Sequence, residues 1–513
     1  MSVAQLVMVD FPGPEPSPDV ERLIAEEGIG GVILFAKNIV SPRQVAQLTN
    51  TLQRIAARAS RPPLLISVDQ EGGPVARITS QATVFPSAMA LGATGSPNFA
   101  EQAGAITARE LRAMGIVVNH APVLDVNTNP ANPVIGVRAF GDDPHDVARL
   151  GVAYLLGLQS NGVVATPKHF PGHGDTLVDS HIGLPTLEHD WKRLSEVELV
   201  PFRAAIEAGC DGLMTGHLAV PAIDPSGLPA TLSPLALTGL LRGQLAFRGL
   251  VFTDSMRMLA IASHHSPGYA ALAAERAGVD MVLACGEVAE QREVIAALRR
   301  AVERGTMTSQ RVDASLTRLT TVRQRYRVFD HALVDESAVE QVVGIPEHRV
   351  AAQRIAEAAV TIVRDEGRLL PLPSGRVGVF DVGGGPSTLS DALKALRMEV
   401  SDLSLDRLLA GVPFREAVRI VAVTCHSPRS SDPQQIAVIH QLAARYRDRL
   451  VVVAGSPYEL AQFPEVGTFV VTYGPDLTSV TAAARILCGQ LAPKGRLPVN
   501  LPGLYPRGHA LAR

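Results

Sequence analysis

The stretch VVATPKHFPGHGDTLVDSHIGLP, residues 163–185, opens on three apolar residues and then sets down Lys168, His169, His173, Asp175, Asp179 and His181 in close succession. Pro171, Gly172, Gly174 and Gly183 break any helical hydrogen-bonding run and open backbone angles that other residues avoid, so the polar part is no helix face. On an idle surface loop six ionisable side chains would simply be solvated, and the apolar Val163–Ala165 leading into them would have no purpose. The stretch therefore reads as a buried strand that delivers a polar, proton-handling loop into a cleft.

The pattern repeats on either side. Short apolar runs at Leu6–Val9, Val32–Phe35, Leu64–Val68, Ile116–Val118, Gly212–Met214, Leu250–Phe252 and Met281–Leu283 are each followed by a polar turn and a helix-like stretch. Segments with apolar residues at helical spacing include Ser41–Ala59, Phe99–Met114, Asp143–Ser160, Glu196–Ala208 and Gln291–Arg304. With Val163–Ala165 this makes eight strands alternating with helices, an α/β pattern that predicts a (β/α)8 TIM-like barrel over residues 1–335. A doubly wound open sheet gives the same alternation, and the polar residues strengthen the barrel reading. Asp10, Lys37-Asn38, Asp69, Asp125, Lys168-His169, His217 and Asp254 stand directly after successive strands. In a parallel barrel all strands end on one face, so these side chains converge on one mouth. Charges that end a strand merely to reach water explain some of them singly; so many together favour a site.

Asp69 lies in SVDQEGGPVAR, where Gly72-Gly73-Pro74 forces a sharp turn and Arg77 follows within reach. A carboxylate and a guanidinium at a strand end suit paired sugar hydroxyls, or equally a structural ion pair. Arg138 lies in NPVIGVRAFGDDP, where Pro, Gly and Asn disfavour regular structure, and it either reaches the cleft or braces its own loop. Asp254 ends the run GLVFTDSM, where a helix is predicted to begin. A helix N-terminus favours the anionic carboxylate, which suits a nucleophile; an ordinary N-cap aspartate accounts for the same residue.

His169, His173 and His181 could supply three zinc ligands, but Pro171-Gly172 interrupts the spacing and removes the helical pairing of HExxH sites. No metal is expected. Asp179-Ser180-His181 instead forms a carboxylate–imidazole pair, in which the carboxylate favours the protonated ring and lets His181 donate a proton near neutral pH. With an anionic Asp254 this supplies the acid and the nucleophile of a double displacement at a sugar acetal. A histidine that has given up its proton carries no negative charge, so either water or a phosphate anion can approach unrepelled.

Composition narrows the partners. At 513 residues the chain exceeds one ordinary core, and 46% hydrophobic against 19% charged residues mark it as folded. A net charge of -3 with no basic block argues against nucleic acid or an anionic membrane as partner. Cys210, Cys285, Cys425 and Cys488 are far apart, which predicts reduced, buried thiols and no disulfide framework. The N-terminal MSVAQLVMVDF lacks a basic segment followed by an apolar one, and no run approaches the ~18 apolar residues of a membrane span, so a cytoplasmic protein is expected. Aromatic residues are scarce at 4%, with Trp191 the single tryptophan, which favours a small pocket over a long groove of sugar-stacking rings.

Beyond the barrel, residues 336–359 read as a linker helix, with the helical pattern running over Asp335–Arg354 and Pro346 near its start. Residues 360–513 read as a smaller αβα sandwich. Its apolar runs are Val360–Arg364, Val377–Asp381, Val418–Thr424, Leu450–Ala454 and Phe469–Thr472, with helical stretches such as Gln434–Arg447 and Leu477–Cys488 between them. The loop Asp381-Val-Gly-Gly-Gly-Pro lacks both the Lys-Ser/Thr of a phosphate-binding loop and GxGxxG spacing, so a plain turn is expected.

Taken together, KHFPGHGDT (168–176), DSH (179–181), VDQEGG around Asp69, NPVIGVRAFG and FTDSM resemble the motifs of glycoside hydrolase family 3, and specifically its β-N-acetylglucosaminidase branch of the peptidoglycan-recycling type. They occur in the family's order across nearly the whole first domain. GRLLPLP near Arg368 and PKGRLPVNLP near Lys494 resemble the edges of its second domain. The resemblance implies a retaining, exo-acting hydrolase in which Asp254 is the nucleophile and His181, held by Asp179, is the acid and then the base. It implies that Asp69, Arg77, Arg138, Lys168 and His169 hold hydroxyls of the terminal sugar. Met214 and His217 would line the floor, and His173 and Asp175 would shape the loop. Single-domain members of the branch imply that the second domain is not needed for the proton chemistry. The expected reaction is release of β-linked N-acetylglucosamine from muropeptides or chitooligosaccharides, with no cofactor. A phosphorylase, a glucosidase or xylosidase, and an inactive sugar-binding protein are the competing readings.

Overall fold

The computed structural model of the chain describes residues 2–382, 387–404, 419–423 and 433–511. In the first part the strands are β1 (Val7–Val9), β2 (Gly31–Leu34), β3 (Leu65–Val68), the antiparallel hairpin β4 (Gln70–Gly72) and β5 (Val75–Ala76), then β6 (Val118–Asn119), β7 (Val164–Ala165), β8 (Gly212–Met214), β9 (Leu250–Phe252) and β10 (Val282–Ala284). Hairpin aside, every residue of these strands is buried, as a parallel sheet covered by helices requires. Ladders join β10-β1-β2-β3-β6-β7 and, separately, β8-β9. Single parallel bridges, Phe170↔Thr215 and Phe252↔Met281, link the two sets at both ends. The eight strands thus follow one another round in chain order, with two junctions thinner than the apolar runs alone suggested. At one junction Pro167 and Pro171 have no N–H with which to continue a ladder. At the other, Thr253 Oγ1 takes the Leu283 N–H at 2.9 Å.

Helices Pro42–Arg58, Pro97–Ala113 and Pro144–Ser160 each start on a capping side chain, Ser41, Ser96 or Asp143, with proline in the first turn. The last two pack closely because Gly104 and Gly157 face each other's backbones: a Cβ at Gly157 would lie 2.2 Å from Glu101 O. The helix predicted over Glu196–Ala208 is instead two, Trp191–Glu196 and Val200–Glu207, broken just before Pro201.

The linking helix runs Pro346–Ala359, with Pro346 in its first turn, and does not begin at Asp335; residues ahead of it hold only a short turn at Val339–Gln341. The second sheet consists of β11 (Thr361–Asp365), β12 (Arg376–Asp381), β13 (Glu399–Asp402), β14 (Arg419–Val423), β15 (Leu450–Ala454) and β16 (Thr468–Val471), in the order β11-β16-β15-β14-β12-β13. All pairs are parallel except β11–β16. One face packs on helices Thr388–Ala395 and Leu477–Leu487, the other on Pro433–Tyr446. That second face also takes in Met89, Ala90, Ala93 and Val137, so the two parts of the chain share an apolar core. Gly383–Pro386 of the expected turn, Thr424 and Cys425 lie outside the described residues. Cys210, Cys285 and Cys488 form no disulfide. No helix among the described residues is long and apolar enough to cross a membrane.

Candidate active site

Residues two apart on an extended backbone point to the same side, and the tip of β3 with hairpin β4–β5 presents Asp69 and Glu71 in that way. Gln70, between them, turns away to bond the backbone of Arg77 and Ile78. Lys168, beyond β7, places Nζ 2.6 Å from both Asp69 Oδ1 and Glu71 Oε1. Arg138 forks onto Glu71 through Nε at 2.9 Å and Nη2 at 2.8 Å, and its Nη1 donates to Val134 O. Burial alone would raise both carboxyls, yet Lys168 holds Asp69 well below the usual carboxylate range, and Arg138 with Lys168 holds Glu71 down to about 2. Burial works in the opposite sense on Lys168 and Arg138, and the same carboxylates outweigh it and push both cations up. The Asp69–Arg77 ion pair considered above is not formed; Lys168 reaches Asp69 instead. Arg77 lines the cavity with its Nε buried and without a hydrogen-bond partner.

Asp125 organises the next segment. Its Oδ2 lies 2.7 Å from His169 Nδ1, and its Oδ1 accepts the His169 and His173 amides at 3.2 and 2.7 Å. Burial pushes the His173 ring down to about 4, so it is neutral near pH 7, between Thr176 Oγ1 at 2.6 Å and Ser180 Oγ at 3.1 Å. Asp175 meets His189 Nε2 at 2.5 Å. Asp175, His189 and Glu198 are the one group of three with metal-ligand atoms close together among the described residues, and Arg193 already lies against it, 3.0 Å from Glu198. His169, His173 and His181 do not gather into such a group.

Asp254 follows β9. Burial would raise its carboxyl, but interactions with His169, His217 and Lys168 and the Ser255 N–H at 2.7 Å hold it below the usual range. The helix expected to start here begins only at Leu259, so neighbouring side chains and one amide, not a helix end, favour the anion. His217 is wholly buried behind the site, 3.0 Å from Ser255 O and 2.8 Å from Thr231 Oγ1, and burial lowers its pKa. Across the opening, His181 Nδ1 lies 2.7 Å from Asp179 Oδ1, which also accepts the His181 amide. The Asp179 side chain is buried, while that of His181 is 54% exposed. The loop tip around it bares Leu177, Val178 and Ile182.

These residues enclose a cavity of about 220 Å³ lined by Asp69, Glu71, Arg138, Lys168, His181 and Asp254, among others. It adjoins a second chamber of about 380 Å³ with Phe35, Met214, Met258 and Leu283 in its wall; Asp69, Arg77, His181 and Asp254 line both. Each predicted site residue lines a chamber except three: His217 and Asp179 stand behind one, bonded to the lining residues Ser255 and His181, and Asp175 pairs with His189, which lines neither. Glu71 is the functional-looking carboxylate that the sequence left unmarked, while Asp125 was expected at the mouth without its partners. The Asp-x-Glu spacing on a strand was the available signal for Glu71, whereas Asp125 meets its partners only through the fold. A larger groove of about 770 Å³, between Thr79–Val84, the linking helix and Leu477, holds none of the predicted site residues.

Residues 1–322 match the glycosyl hydrolase family 3 N terminal domain. Beta-hexosaminidase A of Pseudoalteromonas piscicida is 31% identical over 94% of this chain and 91% of its own length. The beta-hexosaminidase of Nitrosomonas eutropha is 38% identical over 57% of this chain and 84% of its own. The solved structure of a glycoside hydrolase family 3 beta-N-acetylglucosaminidase from Paenibacillus sp. FPU-7 is similar with a TM-score of 0.91 at 40% identity, covering 97% of this chain and 98% of that one. The chain belongs to glycosyl hydrolase family 3. It is a glycoside hydrolase on an α/β fold of parallel sheets.

Proposed function

We propose that the protein is a retaining exo-β-N-acetylglucosaminidase. The observation that carries the reading is that Asp254 and His181 line one cavity from different elements, one ionised and one hydrogen-bonded to a carboxylate. Asp254 attacks the anomeric carbon while His181 passes a proton to the leaving oxygen, breaking the glycosidic bond and forming a glycosyl–enzyme ester. His181 then takes a proton from water, which displaces Asp254 and restores the original anomeric configuration. Asp179, on Nδ1, fixes the tautomer and leaves Nε2 as the atom that exchanges the proton.

Asp69, Arg77, Arg138, Lys168 and His169 hold the hydroxyls of the terminal sugar; the unpartnered Nε of Arg77 supports this, because a buried donor without an acceptor is costly until a ligand supplies one. Neither chamber is much larger than the low end of the ~300–1,000 Å³ typical of ligand sites, which supports one sugar ring over an extended chain. N-acetylglucosamine as that sugar is supported by the relatives that match the chain almost end to end, named beta-hexosaminidase A and beta-N-acetylglucosaminidase. Muropeptides and chitooligosaccharides are the substrate classes, and the unpaired thiols of Cys210, Cys285 and Cys488 among the described residues support a cytoplasmic setting.

The test is product analysis on β-N-acetylglucosaminides with and without phosphate. Free N-acetylglucosamine, first released as the β anomer, is expected in both. N-acetylglucosamine 1-phosphate in phosphate buffer would make the protein a phosphorylase, and turnover confined to glucosides or xylosides would overturn the sugar assignment. Absence of turnover on all of them would leave a sugar-binding protein.

A further inference from the structure

We propose that the second part of the chain completes the sugar site, and that Tyr458 is a positioning residue for the reaction because it holds the loop that carries Arg138. The inference rests on the reading above in that Arg138 is taken to hold the substrate.

The loop from Asn132 to Gly141 contains no regular element beyond a single turn at Gly136–Arg138. Asn127 closes it. Asn127 Oδ1 accepts the Gly136 amide at 3.1 Å, and the Asn127 amide donates to Gly141 O at 3.0 Å, so one residue ties both sides of Arg138 together. The remaining arm of that clasp reaches the second part of the chain: Asn127 Nδ2 donates to Asn129 O at 3.2 Å and, more closely, to the Tyr458 hydroxyl at 2.8 Å, from the turn Pro457–Ala461.

Two further anchors flank the arginine. Val137, its immediate neighbour, is buried in the apolar core built mainly from β12, β14, β15 and β16. Asp142, just past the loop, accepts the Asn500 amide and Nδ2 at 2.7 Å each and pairs with Arg507 Nη1 at 3.0 Å. The tip of Arg138 is fixed by Glu71, and Asn127 and Asn132 of the first part hold the loop backbone on either side of it. The second part braces that arrangement from behind through Tyr458, Val137 and Asp142. A guanidinium fork tolerates little displacement before one of its two hydrogen bonds is lost, so a loosened loop weakens sugar binding without touching Asp254 or His181.

Tyr458→Phe in the full chain deletes the hydroxyl and keeps the ring. The expected result on an aryl β-N-acetylglucosaminide is a KM raised about fivefold, the size of one lost hydrogen bond, with kcat within about twofold, the pattern of lost uniform binding. The melting temperature is expected to stay within about 3 °C. In an Arg138→Lys background the same substitution should change KM no further, because both act at one point. An unchanged KM in Tyr458→Phe, or KM effects that multiply in the double variant, would overturn the proposal. Asp142→Asn tests the outer anchor independently and keeps the question open to a decision if Tyr458→Phe does not fold: a raised KM supports the brace and an unchanged one removes it. A wild-type protein inactive on aryl β-N-acetylglucosaminides would sink the functional reading itself, an outcome separate from an active enzyme indifferent to Tyr458.

Discussion

Replacing Glu71 by glutamine removes the one charge that touches both Lys168 and Arg138 while preserving the side chain's length. In the intact protein those contacts measure 2.6 Å to Lys168 and 2.8 Å to Arg138, between side chains no more than 12% exposed. The Glu71 carboxyl is held at about 2 against an ordinary 4.5. At ~1.36 kcal/mol per tenfold in proton affinity this corresponds to about 3 kcal/mol, near the lower end of the ~3–5 kcal/mol lost when a buried ion pair is deprived of one partner. Spread over the roughly three hundred residues of the first part, about 3 kcal/mol lowers the melting temperature by ~5 °C. The sign of the pH dependence follows from the depressed pKa. Such a carboxylate stabilises fully above its unfolded value near 4.5, and the contribution is lost as pH falls toward about 2. Urea unfolding followed by circular dichroism should therefore separate wild type from Glu71→Gln at pH 7 and bring the two together between about pH 4.5 and 2. Equal midpoints at pH 7, or a gap as wide at pH 3 as at pH 7, would refute the ion-pair account.

Asp254→Asn should reduce kcat by at least roughly a thousandfold with an unchanged melting temperature, and substantial residual turnover would remove it from the nucleophile's role. His181→Ala should cost about 10²–10⁴-fold on substrates with poor leaving groups and far less on activated aryl glycosides, since only the former need the proton; equal losses would count against acid catalysis. Glu275 is wholly buried, and burial pushes its carboxyl up to about 8 against the pull of Arg311, with neither oxygen hydrogen-bonded. A raised carboxyl costs stability progressively as pH rises from about 4.5 to 8, so Glu275→Gln should be nearly neutral near pH 4 and stabilise by ~1–3 kcal/mol near pH 8; the reverse order in thermal melts would contradict this.

The strands were legible because each short buried run gives way to a polar turn, and Gly212–Met214 and Leu250–Phe252 match their predicted limits to the residue. The convergence of Asp69, Lys168, His181 and Asp254 was legible for the same reason, since parallel strands deliver their ends to one side. What failed were inferences from immediate neighbours. Asp254 was read with the helix expected after it, yet its surroundings come from β7 and β8. The Asp69–Arg77 ion pair, one of two readings of that short turn, does not form; Lys168, nearly a hundred positions away, takes the carboxylate. Asp125 was expected at the mouth, but its partners were not legible, because they become adjacent only when β6 and β7 lie side by side. Nothing in Pro457-Tyr458 foretells a contact with Asn127, which exists only once the two parts of the chain have docked.

The half-exposed ring of His181 has a consequence for turnover. A proton donor sealed inside a protein must be recharged through a relay of waters or side chains, and that relay can set the pace. Here the imidazole stands at the lip of the opening in contact with bulk solvent, so it equilibrates with the medium between cycles, and turnover should be indifferent to buffer concentration at fixed pH.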